Sequence, residues 1–166
     1  MKKKILVTGG TGFLGYHLLK KLSKQDYSLY SLSTKKPTKQ RKITKVKYIT
    51  CDICNKKVLK KKLKDKYNYI VNFSGYVDHT NKSKTIQSHY YGCKNLINLF
   101  RNKKIDNFIQ IGSSMEYGDS FSPHSEKFIC KPKGNYGIAK YKATKYLEKI
   151  GRIKSFPYTI FRLYQV

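Results

Sequence analysis

The stretch TGGTGFLG (residues 8–15) contains four glycines in eight residues and directly follows the apolar run Ile5-Leu6-Val7. Glycine inside a regular element destabilises a fold by roughly 0.5–1 kcal/mol relative to alanine. The bend is therefore either a flexible turn or a place where the backbone must approach a group that a side chain would exclude.

The composition is that of a single basic domain. The 166 residues are 39% hydrophobic, and 36 Lys+Arg against 9 Asp+Glu give a net charge of +27. Such a charge can indicate a nucleic-acid or acidic-membrane partner. Arginine, the usual residue for base edges and bidentate phosphate contacts, occurs only four times. This favours lysines on solvated faces over a functional polyanion surface, so we expect no nucleic-acid partner.

The four cysteines include one C-x-x-C pair, Cys51 and Cys54. A second ligand pair or a thioredoxin-like context is missing, so we expect neither a metal site nor a redox motif. The lysines at residues 2–4 resemble the start of a signal peptide, but the apolar run after them is too short. No stretch approaches the roughly 18 apolar residues of a membrane span, and we expect a cytoplasmic protein without a membrane partner.

Short apolar runs alternate with segments of helical spacing along the whole chain. The pattern predicts strands at residues 4–8, 28–33, 46–50, 69–73, 108–111 and 158–164. It predicts helices at residues 13–23, 56–63, 86–100 and 136–150, the last with Gly151 as its C-cap. Alternation of this kind predicts an α/β fold: a Rossmann-like, doubly wound parallel sheet of six strands.

Ligands of doubly wound sheets bind outside the carboxyl ends of the strands, and the glycine bend lies at such an end. Gly9, Gly12 and Gly15 follow the spacing G-x-x-G-x-x-G. Glycines there allow a sharp turn, close approach of backbone N–H groups to a pyrophosphate, and close packing of helix on strand. The free N–H groups at a helix N-terminus favour an anion, so the bend predicts a dinucleotide site.

Further motifs occur in order after the bend: Asp52-Ile53, Asn72–Gly75, a Ser113…Tyr117-Gly118 segment, Tyr136…Lys140 and Arg162–Val166. With these motifs the whole chain resembles the extended short-chain dehydrogenase/reductase family of nucleotide-sugar epimerases and dehydratases. Family members are about twice as long. The resemblance therefore implies that residues 1–166 are an NAD(P)-binding Rossmann domain, truncated before the substrate domain.

The resemblance implies three sets of site residues. The expected cofactor contacts are Gly9, Thr11, Gly12, Phe13, Leu14, Gly15, Ser33, Lys36, Asp52, Ile53, Phe73, Ser74, Gly75, Tyr136 and Lys140. The expected substrate contacts are Ser114, Met115 and Gln165. The expected catalytic residues are Ser113, Tyr136 and Lys140, with the lysine also holding the nicotinamide ribose.

Tyr136 and Lys140 are four residues apart at the start of a predicted helix, so they share a face. A nearby ammonium favours the phenolate, and we expect it to lower the tyrosine pKa from its usual value near ~10. Tyr136 would then act as general acid and base. The family implies that it exchanges a proton with a sugar hydroxyl while a hydride moves to or from the nicotinamide, with Ser113 binding the reacting oxygen and Ser114 as the fallback.

Three positions depart from common patterns of the family. Where NAD-preferring members have an acid, this chain has Ser33, followed by Thr34 and two lysines, which favours NADP slightly over NAD. Dehydratases have T-D-E before the tyrosine of the serine segment, whereas Glu116 here stands one position late, which disfavours a dehydratase. His89 replaces a common Asn, and either keeps a backbone contact near the site or is an ordinary helix histidine.

The function expected from the resemblance is an oxidoreductase or isomerase that acts on a nucleotide-sugar, as a 4-epimerase or a 4-keto-sugar reductase for surface-polysaccharide precursors. Two alternatives stay open. One is a non-catalytic RNA-binding or regulatory relative, and the other is an inactive fragment. The family also implies a homodimer through the helices predicted at residues 86–100 and 136–150.

Overall fold

The computed structural model of the chain describes residues 2–164. All six strands pair in parallel in one sheet, in the order β3-β2-β1-β4-β5-β6. The strands are β1 Lys4–Thr8, β2 Ser28–Ser33, β3 Val46–Thr50, β4 Tyr69–Asn72, β5 Asn107–Ser113 and β6 Tyr158–Leu163. The predicted fold class, a Rossmann-like doubly wound sheet of six strands, is confirmed.

The helices connect these strands across both faces of the sheet. They are α1 Phe13–Leu22, α2 Lys56–Lys62, α3 Lys82–Ile86, α4 Cys93–Phe100 and α5 Gly134–Lys154. A π-helical turn, Gln87–Gly92, joins α3 to α4, and 3-10 turns occupy Lys39–Arg41 and Ser114–Glu116. No helix within residues 2–164 is long and apolar enough to cross a membrane.

Alternate strand residues enter two apolar clusters, one on each face of the sheet. Leu6 of β1 belongs to the larger cluster, which contains Phe100 of α4 and Leu147 of α5. Its chain neighbour Val7 belongs to the smaller cluster, which contains Leu19 of α1. Both faces are covered, which is why the strands are apolar runs rather than alternating ones.

The end of α5 differs from the prediction. The helix continues through Gly151 to Lys154, and Ser155, in a left-handed conformation with φ +48°, is its C-cap. The prediction of Gly151 as the cap is wrong, and the physical reason is packing. A Cβ at Gly151 would lie 2.7 Å from Cδ1 of Tyr158, so the glycine lets α5 lie close to β6.

Candidate functional site

The carboxyl ends of β1, β2, β3 and β4 surround a cavity of about 710 Å³. It lies at the point where the strand order reverses between β1 and β4, the usual ligand position of such sheets. The residues predicted from sequence that line it are Gly9, Thr11, Gly12, Phe13, Leu14, Gly15, Ser33, Asp52, Ile53, Phe73, Ser74 and Gly75. The structure thus brings twelve of the predicted cofactor residues to one cavity.

Two glycines of the bend are sterically required. Gly9 has φ +70°, and a Cβ there would lie 2.9 Å from the carbonyl carbon of Phe73. A Cβ at Gly15 would lie 2.6 Å from Cα of Gly10. Gly12 is less crowded: its Cβ would lie 3.2 Å from the Gly9 oxygen, and it is the N-cap of α1. The glycines therefore let the bend pack tightly against itself and against the end of β4, where it lines the cavity at the start of α1.

Gly10 is a fourth constrained glycine, which the sequence analysis did not single out. A Cβ there would lie 2.9 Å from Cδ1 of Leu19 and would also overlap the Ser31 side chain. Close by, the Thr11 amide donates a hydrogen bond to Oγ of Ser33 at 3.2 Å. This hydrogen bond links the end of β2 to the glycine bend. The adjacent Gly-Gly pair was the sequence signal for the constraint at Gly10.

The cofactor contacts expected at and after the ends of β2 and β3 occupy different environments. Asp52 is exposed, and its carboxylate accepts a hydrogen bond from the Cys54 amide at 2.8 Å, while Ile53 is buried beneath the π turn at Gly92. Ser33 is buried, whereas Lys36 is exposed and lies outside the residues that line the cavity. Its role in cofactor choice stays a prediction.

Ser113, Tyr136 and Lys140 meet at the carboxyl end of β5. Lys140 is buried, its ammonium donates a hydrogen bond to the Ile111 carbonyl at 2.8 Å, and its Nζ lies 5.5 Å from the Tyr136 ring centroid. A Cβ at Gly137 would lie 2.7 Å from the Met115 carbonyl oxygen. The glycine after the tyrosine therefore lets α5 approach the turn that follows Ser113.

Burial is the largest influence on the pKa values of Lys140 and Tyr136. It lowers the pKa of Lys140 to about 8, because the ammonium is removed from water. Burial also raises the pKa of Tyr136, and the hydrogen bond with Ser113 only partly opposes that shift. The predicted net lowering of the tyrosine pKa is wrong: the cost of burying a phenolate exceeds the stabilising interactions around it.

Comparison with known proteins assigns the chain to a family. A family model described as the NAD dependent epimerase/dehydratase family matches residues 5–166. The chain belongs to this family.

Several proteins similar to the chain are nucleotide-sugar epimerases by name. A provisionally named UDP-glucose 4-epimerase of Methanocaldococcus jannaschii is 25% identical, over 95% of this chain and 54% of that protein. The crystal structure of UDP-glucose 4-epimerase from Thermotoga maritima with UDP-glucose superposes with a TM-score of 0.88 at 23% identity, over 96% of this chain and 54% of that one. UDP-glucuronic acid 4-epimerase of Bacillus cereus in complex with NAD gives a TM-score of 0.84 at 21% identity, over 98% and 56%. The chain spans about half the length of these relatives.

His89, which replaces a common Asn of the family, contacts the backbone at the site. Its Nε2 lies 3.0 Å from the Tyr76 carbonyl oxygen, so Nε2 carries the proton. Burial lowers the pKa of His89 to about 4, with a smaller contribution from the Lys140 charge. A Cβ at Gly75 would lie 2.6 Å from Nδ1 of His89, so that glycine accommodates the ring. Of the two interpretations left open by the sequence, the structure shows the backbone contact.

Glu116, the displaced acid of the serine segment, is completely buried. Its Oε1 accepts a hydrogen bond from the Ser113 amide at 3.0 Å, and its Oε2 accepts one from Nε of Arg162 at 3.1 Å. A carboxylate with both oxygens engaged and no exposed surface is not placed to remove a substrate proton.

Two of the three predicted substrate residues, Ser114 and Met115, share the 3-10 turn with Glu116. Ser114 is half-buried in the 3-10 turn, and Met115 is 52% exposed. Gln165 lies outside the described residues. No group of three or more His, Cys, Asp or Glu side chains within residues 2–164 is placed to hold a metal ion.

Two features of the site were missed from sequence. The His79 ring stacks on the Tyr136 ring with a centroid distance of 4.0 Å, and no sequence signal marked it. Asn72 accepts a hydrogen bond from the Thr8 hydroxyl at 2.6 Å and donates one to the Gln110 side chain at 2.8 Å, which ties β1, β4 and β5 together. Polar residues inside three otherwise apolar strands, which the sheet register places side by side, were the available signal for this network.

Proposed function

We propose that residues 1–166 form the NAD(P)-binding and catalytic part of an enzyme that acts at C4 of a nucleotide-sugar, as a 4-epimerase or a 4-keto-sugar reductase. One observation carries the proposal: Ser113, Tyr136 and Lys140 meet at the same sheet edge as the glycine-lined cavity. The names of the relatives in the family support the nucleotide-sugar class.

The residues present fit NAD(P). Gly9 and Gly15 keep bare backbone at the N-terminus of α1, where a pyrophosphate is favoured by free N–H groups and by the helix dipole. Asp52 lies on the adenosine side of the cavity and Gly75 on the opposite side, toward Tyr136. When bound, the nicotinamide supplies the acceptor or donor of a hydride.

The side chains of the chain itself handle the proton and the orientation. In the reduction direction Tyr136, a phenol at neutral pH because burial raises its pKa, gives its proton to the C4 oxygen. In the oxidation direction the phenolate of Tyr136 takes that proton back from the C4 hydroxyl. Ser113 donates a hydrogen bond to the reacting oxygen. Lys140 is positively charged at neutral pH and holds the ribose, and its charge offsets the negative charge that develops on Tyr136.

The test of this role is turnover of UDP-glucose in the presence of NAD. We expect Tyr136→Phe to lower turnover at least tenfold, because the phenol that exchanges the proton is removed. Tyr141→Phe is the matched control. Tyr141 lies on the same helix, and the substitution likewise removes a hydroxyl and keeps the ring. A loss below tenfold for Tyr136→Phe contradicts the assigned role, and a chain that binds neither NAD nor NADP refutes the whole proposal.

We also propose a preference for NADP. Ser33 places no carboxylate at the end of β2, and Lys35 and Lys36 are exposed next to it, where a 2′-phosphate would meet positive charge. Calorimetry with NADPH and NADH tests this. The joint change Lys35→Gln with Lys36→Gln is expected to equalise the two affinities, whereas Lys39→Gln with Lys42→Gln is expected to leave them unchanged. Equal affinity of the unmodified chain for both dinucleotides overturns the preference.

The homodimer implied by the family stays a proposal. Tyr91 of the π turn is 43% exposed and Ile138 of α5 is 38% exposed, so both predicted contact helices carry accessible apolar side chains. Sedimentation equilibrium is the measurement. A dimer that Tyr91→Glu with Ile138→Glu dissociates supports the contact, and a monomer at every concentration refutes it.

A further inference from the structure

A buried ion pair lies directly behind the serine of the site. Glu116 is completely buried, and Arg162 of β6, with 16% of its side chain exposed, donates from Nε to the carboxylate at 3.1 Å. Arg162 also donates from Nη1 to the Tyr117 hydroxyl at 3.2 Å. A Cβ at Gly112, which is opposite Arg162 in the β5–β6 register, would lie 2.5 Å from Oε1 of Glu116. The glycine leaves the space that the carboxylate occupies.

The carboxylate connects this pair to Ser113. Oε1 of Glu116 accepts the hydrogen bond of the Ser113 amide, and Oγ of Ser113 accepts one from the Met115 amide at 3.2 Å. The two contacts form a capping box around the 3-10 turn. Oγ of Ser113 accepts from the Met115 amide with a lone pair, so its single proton stays available for one acceptor, either Tyr136 or the reacting oxygen.

Stability alone does not explain the pair. Replacing a buried ion pair by apolar residues of similar volume is often neutral or stabilising, because both charges lose their hydration on burial. A buried pair is, however, rigid and directional, which is what a catalytic group needs from the residues behind it.

We propose that Glu116 and Arg162 are a positioning pair that holds Ser113 in place against Tyr136. The proposal rests on the proposed function for the roles of Ser113 and Tyr136. Arg162 fixes the carboxylate, the carboxylate fixes the amide of Ser113, and the hydroxyl then has one orientation.

The test measures the pKa of the phenol at position 136 and of no other tyrosine. 3,5-Difluorotyrosine is placed at position 136, so that one ¹⁹F resonance reports the titration of that phenol. We expect Ser113→Ala to raise the pKa of this phenol, because the interaction with Ser113 that favours the phenolate is lost. We then measure the same Ser113→Ala effect in an Arg162→Met background, which completes a double-mutant cycle.

Positioning predicts that the effect of Ser113→Ala falls by about half or more in the Arg162→Met background. It also predicts that the effect is retained with Arg162→Lys, which can still donate to Glu116. An undiminished effect in Arg162→Met overturns the proposal, because the serine then holds its place without the arginine. The direct effect of the arginine charge on the phenol cancels in the cycle.

Thermal melts accompany each variant. If Arg162→Met leaves Glu116 unpaired and unfolds, the cycle is run with Glu116→Met and Arg162→Met together, which removes both charges. Failure of both variants to fold assigns the pair to stability and overturns the proposal. Absence of NAD(P) binding refutes the proposed function but leaves this cycle readable, so the two failures are distinguishable.

Discussion

Replacing Lys140 by methionine is expected to stabilise the fold while it removes a proposed catalytic group. Burial lowers the pKa of Lys140 from 10.5 to about 8. At about 1.4 kcal/mol per pKa unit, this shift corresponds to about 3 kcal/mol of destabilisation at neutral pH. The substitution loses the hydrogen bond to the Ile111 carbonyl, worth about 1 kcal/mol, but that oxygen also accepts from Nε2 of Gln110. The expected net gain at pH 7 is about 2 kcal/mol.

The pH dependence identifies the cause of this gain. Below pH 8 both the folded and the unfolded chain hold the Lys140 proton, and the penalty is complete. Between pH 8 and 10.5 the folded chain releases this proton while the unfolded chain keeps it, so the penalty shrinks as pH rises. The advantage of Lys140→Met should therefore be largest at neutral pH and absent at the upper end of that window, where only the cost of the lost hydrogen bond remains.

Urea denaturation of the parent chain and of Lys140→Met measures the gain in the free energy of unfolding at pH 7. The same measurement near the upper end of that pH window gives the pH dependence of the gain. Lys142→Met is the matched control, because Lys142 is exposed on the same helix and its replacement should change the free energy of unfolding little. A Lys140→Met chain that is less stable than the parent at pH 7 would refute the reasoning. So would an advantage of equal size at both pH values.

The glycines give two further predictions. Gly15→Ala should weaken NADH binding at least tenfold by calorimetry, because its Cβ would displace the bend around Gly9 and Gly10, whereas Lys20→Ala on the exposed face of α1 should leave the affinity unchanged. Gly151→Ala should lower the melting temperature despite the better helix propensity of alanine, because its Cβ meets the Tyr158 ring, and the same substitution should become stabilising when Tyr158 is changed to leucine.

The fold was predictable because each element is determined by local pattern and by the sheet. Strands β1, β2 and β3 have the predicted bounds, since apolar runs between polar loops leave little ambiguity. The helix predicted at residues 86–100 is interrupted by the π turn Gln87–Gly92, which periodicity does not show. Gly151 misled the prediction because a glycine needed for close packing in a helix looks like a glycine that ends one.

The site was predictable where one segment supplies the chemistry, and less so where segments meet. The glycine bend and the Tyr136–Lys140 pair are local motifs, and the structure places both at one sheet edge. The contact of Glu116 with Arg162 joins residues 46 positions apart, and the one-residue displacement of the acid gave no indication of its partner. The direction of the Tyr136 pKa shift depends on burial, which a sequence motif does not contain.

The carboxyl end of β5, with Ser113, Tyr136 and Lys140, is the reaction edge. This edge differs from the rest of the interior because it contains buried charged side chains. Beneath the edge, Leu6, Ile70 and Phe108 are completely buried and apolar. At the edge, Lys140 and Glu116 are buried as charge-bearing groups, and each is held by a hydrogen bond to the segment between Ile111 and Ser113. An apolar side chain in either place would relieve desolvation, so stability alone disfavours both. Both groups hold the end of β5 in place. Proton transfer to a bound sugar would require that the serine beside Tyr136 be held in this way.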